Sequence, residues 1–140
     1  MRALGIAAYP AQSELLLEML AAQLATEYGD LEILPRATTP AQAVARVELL
    51  APIMVCIAAL PPDGGPFARE LCHRLKGRFP KLTVVAFRPD EPGVDPARAA
   101  KRLNEAGADL VVTTVAEACA EMTRLLGPAA AATSAPPQAG

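Results

Sequence analysis

A chain of 140 residues is long enough for one domain with a substantial hydrophobic core. Hydrophobic residues make up 52% of the chain but aromatic residues only 4%, so the core must consist mainly of Leu, Val, Ile and Ala, as in a parallel sheet covered by helices. The formal net charge is −2 and both signs are spread along the chain, which argues against a nucleic-acid-binding surface.

Five strand-like segments alternate with five helix-like segments. Four of the strand segments are short, continuous apolar runs, which are typical of strands buried on both faces. The second is brief and lies between Gly29-Asp30 and Pro35, which predicts an edge strand. In chain order the predicted strands are Ala3–Ala8, Leu31–Leu34, Ile53–Ala58, Leu82–Phe87 and Asp109–Thr113.

The first two helices have start signals of different kinds. Ser13 is the predicted start of the first helix, and the apolar spacing predicts an inward stripe of Leu16, Met19, Leu20 and Leu24. The segment Thr39-Pro40-Ala41-Gln42 is a capping box with Pro at the first helical position, and the helix that it opens must stop before Pro52.

The remaining helices are also bounded by capping residues. Pro66 opens the third helix, whose inward stripe is Phe67, Leu71, Leu75 and Phe79. Asp95-Pro96 caps the fourth helix and Gly107 ends it, while Thr114-Val115-Ala116-Glu117 is a second capping box, and Gly127-Pro128 closes the fifth helix.

Strict alternation of strands and helices, with right-handed crossovers, predicts an α/β fold with a doubly wound five-stranded parallel sheet. The flavodoxin-like or receiver-like strand order 2-1-3-4-5 is the favoured topology. We therefore expect one domain over residues 1–127, followed by a disordered Ala/Pro-rich tail over residues 128–140.

Ligands of such sheets bind at the carboxyl ends of the strands. At the carboxyl ends of the strands the sequence places seven candidate ligand-binding residues. Among them, Arg88 is expected to contact an anionic group of the ligand, and the ring of Tyr9 is expected to stack against the ligand. The "LPPDGG" elbow after the third strand is interpreted mainly as a sharp turn with Asp63 as a local cap, and alternatively as part of the ligand site. The candidates are Tyr9, Ser13, Asp63, Gly64, Arg88, Thr113 and Thr114.

The established chemistries of this fold find no match in these loops. A phosphoacceptor receiver needs an acidic pair after the first strand, an Asp at the end of the third and a Lys after the fifth, where this chain has Ala8-Tyr9, Ala58-Ala59 and Thr113-Thr114. Glycine-rich phosphate loops and a cobalt-ligating D-x-H-x-x-G loop are missing too, and His73 lies mid-helix. We therefore predict no metal, no cofactor and no catalytic residues, so the chain is not expected to be an enzyme.

The cysteines Cys56, Cys72 and Cys119 are odd in number and far apart, and each lies in an apolar pattern. They are interpreted as small buried hydrophobic residues in a reducing, cytoplasmic compartment. The longest apolar stretch, Leu49–Pro62, is short and contains three prolines, so no membrane-spanning helix is predicted, and no signal peptide is recognised.

Three segments of the second half of the chain carry a family resemblance. They are the "CIAALPP" strand and elbow, the "LC–RL–RFP" helix and the "AGAD–VVTT–AEA" ending. They resemble the soluble C-terminal domain of some bacterial permeases of the autoinducer-two exporter family. Receiver-like and cobalamin-binding domains share the same arrangement of strands and helices. The membrane helices of such a permease are missing, so the chain resembles an excised domain or a free-standing relative.

Two functions stay open at this stage. One is a non-catalytic regulatory or interaction domain, a degenerate receiver associated with a membrane transporter. The other is a small-molecule sensor with a degenerate cobalamin-like pocket at the carboxyl ends of the strands. The expected partner is a protein or transporter module, which would place the domain in the cytoplasm or at the inner face of the membrane. A homodimer is left open, because the third helix carries a basic run from Arg69 to Lys81 and the first helix carries Glu14, Glu18 and Glu27.

Overall fold

The computed structural model of the chain describes residues 2–7, 12–25, 30–34, 39–59, 64–89 and 93–134. Strands and helices alternate through these residues. The elements are β1 Arg2–Ala7, α1 Gln12–Ala25, β2 Asp30–Ile33, α2 Pro40–Leu50, β3 Met54–Ala58, α3 Gly64–Arg78, β4 Thr83–Phe87, α4 Pro96–Ala106, β5 Leu110–Val112 and α5 Val115–Ser134.

The five strands form one parallel sheet in the order β2-β1-β3-β4-β5. The predicted α/β class, the strand order and the edge position of β2 are therefore confirmed. In the central register Gly5 of β1 lies beside Cys56 of β3, and Cys56 lies beside Val85 of β4. The carboxyl ends of the strands consequently meet at one edge of the sheet, which we call the carboxyl rim.

The sheet is buried on both faces, as the continuous apolar runs indicated. Along β3 all five side chains are buried, and they alternate between two layers. Val55 and Ile57 pack into a core with α2, α3 and α4, whereas Met54, Cys56 and Ala58 pack into a core with α1 and α5. The predicted inward stripe of α3 is confirmed, because Leu71 and Leu75 are buried in the first of these layers and Phe67 and Phe79 pack against it.

Helix α1 is rotated relative to the sequence prediction. Met19, expected to face inward, is 55% exposed, and Leu17 is fully buried in its place beside Leu20. The reason is Gly5 on β1: a Cβ built there would lie 3.3 Å from both terminal methyl carbons of Leu17, so the missing side chain leaves the space that Leu17 fills. The helix also begins at Gln12, so Ser13 lies in its first turn and is not the residue that precedes it.

Capping signals that depend on neighbouring residues are confirmed. At α2 the hydroxyl of Thr39 accepts from the amide of Gln42 (3.2 Å), and the Gln42 side chain accepts from the amide of Thr39 (2.9 Å). At α4 the carboxylate of Asp95 accepts from the amide of Ala97 (3.0 Å), and Gly107 follows the helix with φ +128°. The glycine is required there, because a Cβ would come within 2.9 Å of Lys76 Cγ.

The amino ends of β4 and β5 are joined by a side-chain clamp that the sequence did not reveal. Asp109, just before β5, accepts from the buried amide of Val84 through Oδ2 (2.8 Å). Lys76 of α3 donates to the same oxygen (3.0 Å) and to the carbonyl oxygen of Leu82 (2.8 Å). One carboxylate and one ammonium thus tie α3 to both strands, and we call the pair the Asp109–Lys76 clamp.

Two predicted helix ends are wrong. Helix α3 begins at Gly64 and not at Pro66. Helix α5 continues through Gly127-Pro128 to Ser134, because the alanine run that follows Pro128 has the highest helix propensity. Residues 135–140 lie outside the described residues, and the prediction of a disordered tail stays a prediction. None of the described helices is both long enough and apolar enough to cross a membrane.

Candidate functional site

The carboxyl rim is built from the residues that follow β3, β4 and β5. Backbone pairing continues one residue beyond the strands, because the amide of Ala59 donates to the carbonyl oxygen of Phe87 (2.9 Å) and the amide of Arg88 donates to that of Val112 (2.8 Å). Ala59, Arg88 and Thr113 are therefore held in a row along this edge, and their positions are fixed by the sheet rather than by loops.

Three of the seven predicted site residues come together at the β4–β5 end of the rim. Arg88 and Thr113 are half-buried there and Thr114 is exposed beside them. Gly64 is the first residue of α3 and Ser13 lies in the first turn of α1. Tyr9 and Asp63 lie outside the described residues, so the ligand site and the alternative role of the elbow stay predictions.

Both threonines of the β5 loop are engaged by Glu117 of α5. The hydroxyl of Thr114 accepts from the amide of Glu117 (3.0 Å), which confirms half of the predicted capping box. The other half differs: Glu117 Oε1 accepts from the amide and the hydroxyl of Thr113, at 2.8 and 3.1 Å, and not from the amide of Thr114. The hydrogen-bonding groups of Thr113 are thus used within the protein.

The composition of this rim decides which chemistry it can support. Strand β3 ends at Ala58, and Ala59 follows it, where a phosphoacceptor receiver needs an aspartate. Thr113 stands after β5 where such a receiver needs a lysine. In the part of the chain that the structure describes, no group of three His, Cys, Asp or Glu residues is arranged to hold a metal ion. Magnesium would therefore lack its oxygen ligands at the described part of the rim.

Two of the three cysteines are buried in the core. Burial raises the pKa of Cys56 to about 12. Burial, and to a smaller extent the negative charge of Asp109, raises the pKa of Cys72 to about 12. Both side chains therefore stay protonated and act as the small hydrophobic core residues that the sequence predicted. Cys119 is half-buried on α5.

The basic run of α3 is largely neutralised by carboxylates. Arg74 pairs with Glu70 at 3.0 Å and Arg78 with Glu48 of α2 at 2.7 Å, while Lys76 belongs to the Asp109–Lys76 clamp. Three of the basic side chains in the run are therefore paired within the protein. Sequence reasoning missed these pairs because Glu48 and Asp109 come from other elements, so only the fold brings them to α3.

No family model matches the chain, and neither does any curated protein. Solved structures do match, and the three described below do so at low sequence identity. A CheY-like protein (TadZ) from Pseudomonas aeruginosa has a TM-score of 0.63 at 21% identity, with 91% of this chain and 95% of that chain covered. The receiver domain of NtrX from Brucella abortus also has a TM-score of 0.63, at 17% identity, with 91% and 98% covered. The chain has a receiver fold.

A third structural neighbour is similar in the same way. It is described as an atypical orphan response regulator that revealed a phosphorylation-independent regulatory mechanism, and it has a TM-score of 0.65 at 13% identity, with 91% of this chain and 96% of that chain covered. At such identities the likeness establishes the receiver fold of this chain. The function has to be argued from its own residues.

Proposed function

We propose that this chain is a non-catalytic regulatory domain, a degenerate receiver that acts by binding a protein partner and not by phosphoryl transfer. The observation that carries the proposal is the rim: alanines end β3, and Thr113 after β5 is held by Glu117. A receiver with this rim can keep the fold and its docking surfaces while it lacks the groups that bind magnesium and accept a phosphoryl group.

Exposed apolar side chains on α1 support the partner-binding role. Leu15 is 57% exposed and Met19 is 55% exposed, one helical turn apart on the face opposite the buried Leu17. Water contact with two large side chains on one short stripe is unfavourable, so a surface of this kind favours contact with another protein.

The proposed partner is a membrane transporter. The support is the resemblance of the strand-and-elbow, the α3 helix and the "AGAD–VVTT–AEA" segment to the soluble domain of exporter-family permeases. Such a partner would hold the domain at the cytoplasmic face of the membrane.

Two measurements test the proposal. Beryllofluoride or acetyl phosphate with Mg²⁺ should leave the amide NMR spectrum and the mass of the protein unchanged, while a phosphorylatable receiver treated in parallel responds. Vesicles that contain an exporter-family permease should then retain the domain better than empty vesicles, and Met19→Lys should reduce this retention more than Leu49→Lys, which alters an exposed leucine of α2. Amide shifts confined to the rim, or a covalent phosphoryl group, would refute the non-catalytic role, and equal retention by both kinds of vesicle would refute the transporter partner.

A further inference from the structure

A groove of about 660 Å³ lies at the amino end of the sheet, opposite the carboxyl rim. It is bounded by the last turns of α2 and α3 and by the segments that lead into β3 and β4. Its volume falls within the range of small-molecule sites in proteins. The apolar lining of this amino-end groove includes Val47, Pro52, Ile53, Phe79, Pro80 and Leu82.

The open side of the groove exposes apolar surface to water. Ile53 is 42% exposed, although it immediately precedes the fully buried strand β3. Val47 and Leu82 form the buried floor, at 3% and 7% exposure. An alkyl chain laid over Ile53 and the half-buried Phe79 would remove apolar surface from water on both partners, which is the dominant favourable contribution in ligand binding of this kind.

Three charged side chains border the groove, and two of them neutralise each other. Glu48 accepts from Arg78 at 2.7 Å, and the guanidinium carbon of Arg78 lies 5.7 Å from the centroid of the Phe79 ring. Lys81 is exposed and forms no ion pair or side-chain hydrogen bond with any of the residues that the structure describes. The groove is thus apolar with one net positive charge at its edge.

We propose that the amino-end groove binds a monoanionic amphiphile, an unbranched alkyl chain that ends in a carboxylate. The chain contacts Ile53, Phe79 and Leu82, and the carboxylate pairs with the ammonium of Lys81. A nucleotide fits poorly, because the lining is mainly apolar and Arg78 already lies over the ring of Phe79. This site is independent of the proposed regulatory function, since it lies at the opposite end of the sheet from the rim and no residue of α1 lines it.

The probe is dodecanoate, titrated into the full chain by calorimetry below the concentration at which it aggregates. Dodecyltrimethylammonium, which has the same chain and the opposite charge, is the matched ligand. Dodecanoate should bind more tightly than the cationic amphiphile and shift the amide resonances of residues 47–53 and 78–82, while the carboxyl rim stays unchanged.

Paired variants separate the two parts of the site. Lys81→Glu should weaken dodecanoate binding roughly five- to tenfold, whereas Lys101→Glu, the same change on exposed α4, should not weaken it. Ile53→Gln should weaken it about fivefold or more, whereas Leu49→Gln, the same kind of change at a residue 71% exposed, should have little effect. Both groove positions are exposed enough for the variants to fold, which circular dichroism verifies.

Several results would overturn the proposal. They are an absence of binding, equal affinity for the two amphiphiles, an equal effect of Lys81→Glu and Lys101→Glu, or amide shifts located elsewhere. A wild-type dimer that Ile53→Gln dissociates would also overturn it, because a second copy of the chain would then be the occupant of the groove.

Discussion

Replacing Asp109 with alanine should destabilise the protein by about 2–3 kcal/mol. The amide of Val84, a residue with 0% exposure, donates to Asp109 Oδ2 and would lose its acceptor, at a cost of about 1–3 kcal/mol. The ion pair with Lys76 contributes less, up to about 1 kcal/mol, because the Asp109 side chain is 42% exposed and the Lys76 side chain 25%. The hydrogen bond to the buried amide therefore dominates the expected loss.

Asparagine at the same position separates these two contributions. Asp109→Asn keeps an oxygen that can accept from Val84 and removes only the charge, so it should cost about 1 kcal/mol or less. Lys76→Met keeps the apolar stem against Gly107 and loses the hydrogen bond to Leu82, and it should cost about 1 kcal/mol.

Equilibrium urea unfolding measures these differences, with the slope of the transition checked for constancy. Glu105→Ala, which removes an exposed carboxylate of α4, is the control and should stay within about 0.5 kcal/mol of the wild type. If Asp109→Asn destabilises the protein as much as Asp109→Ala does, the ion pair with Lys76 and not the hydrogen bond from the Val84 amide is the main contribution of the clamp, which would contradict this prediction.

Three further predictions follow from the packing and the thiols. Gly107→Ala should destabilise the protein by about 1–3 kcal/mol, because a Cβ at φ +128° would contact Lys76 and the carbonyl oxygen of Cys72, whereas Gly77→Ala should stabilise it by about 0.5–1 kcal/mol, because its Cβ has open space. Equal melting temperatures for the two variants would contradict this. Leu17→Ala should cost about 2–5 kcal/mol and Met19→Ala less than about 0.5 kcal/mol in urea unfolding, and the reverse order would mean that the α1 stripe is assigned incorrectly. Above pH 9.0 unfolded thiols lose their protons while Cys56 and Cys72 keep theirs to about pH 12, so the free energy of unfolding should fall by about 1.4 kcal/mol per pH unit for each thiol. Cys72→Ala should show a shallower fall with pH, and an unchanged slope would contradict the raised pKa of Cys72.

Features encoded by local sequence were predictable here. Apolar runs bounded by Gly and Pro predicted the strands, and their strict alternation with helices predicted the strand order. Thr39, Asp95 and Gly107 marked helix ends through contacts within a few residues. Most strand and helix bounds differed by a residue or two, because fraying and alternative caps are nearly isoenergetic at element ends, and the far end of α5 at Ser134 was the exception.

Features that depend on the tertiary fold were not predictable. The rotation of α1 follows from the space over Gly5, and the spacing of apolar residues within α1 could not reveal that space. Lys76 and Asp109 are far apart in sequence, as are Arg78 and Glu48, so the clamp and the neutralised α3 face emerge only when the elements are packed. At the rim the sequence correctly selected Thr114 and Glu117 as a cap, but it could not foresee that Glu117 would reach Thr113.

The missing side chain at Gly5 also affects how α1 would meet another protein. Leu17 packs so closely over Gly5 that a Cβ at position 5 would lie 3.3 Å from its methyl carbons, so a roll or slide of the helix would lose this packing. Leu15 and Met19 are therefore presented in one fixed orientation by an anchor on the opposite side of the helix. A partner that docks on them binds a surface that is already ordered in the free protein, so binding costs little conformational entropy in the helix. A larger residue at position 5 would displace α1, and with it Leu15 and Met19, although no residue in contact with the partner would be changed.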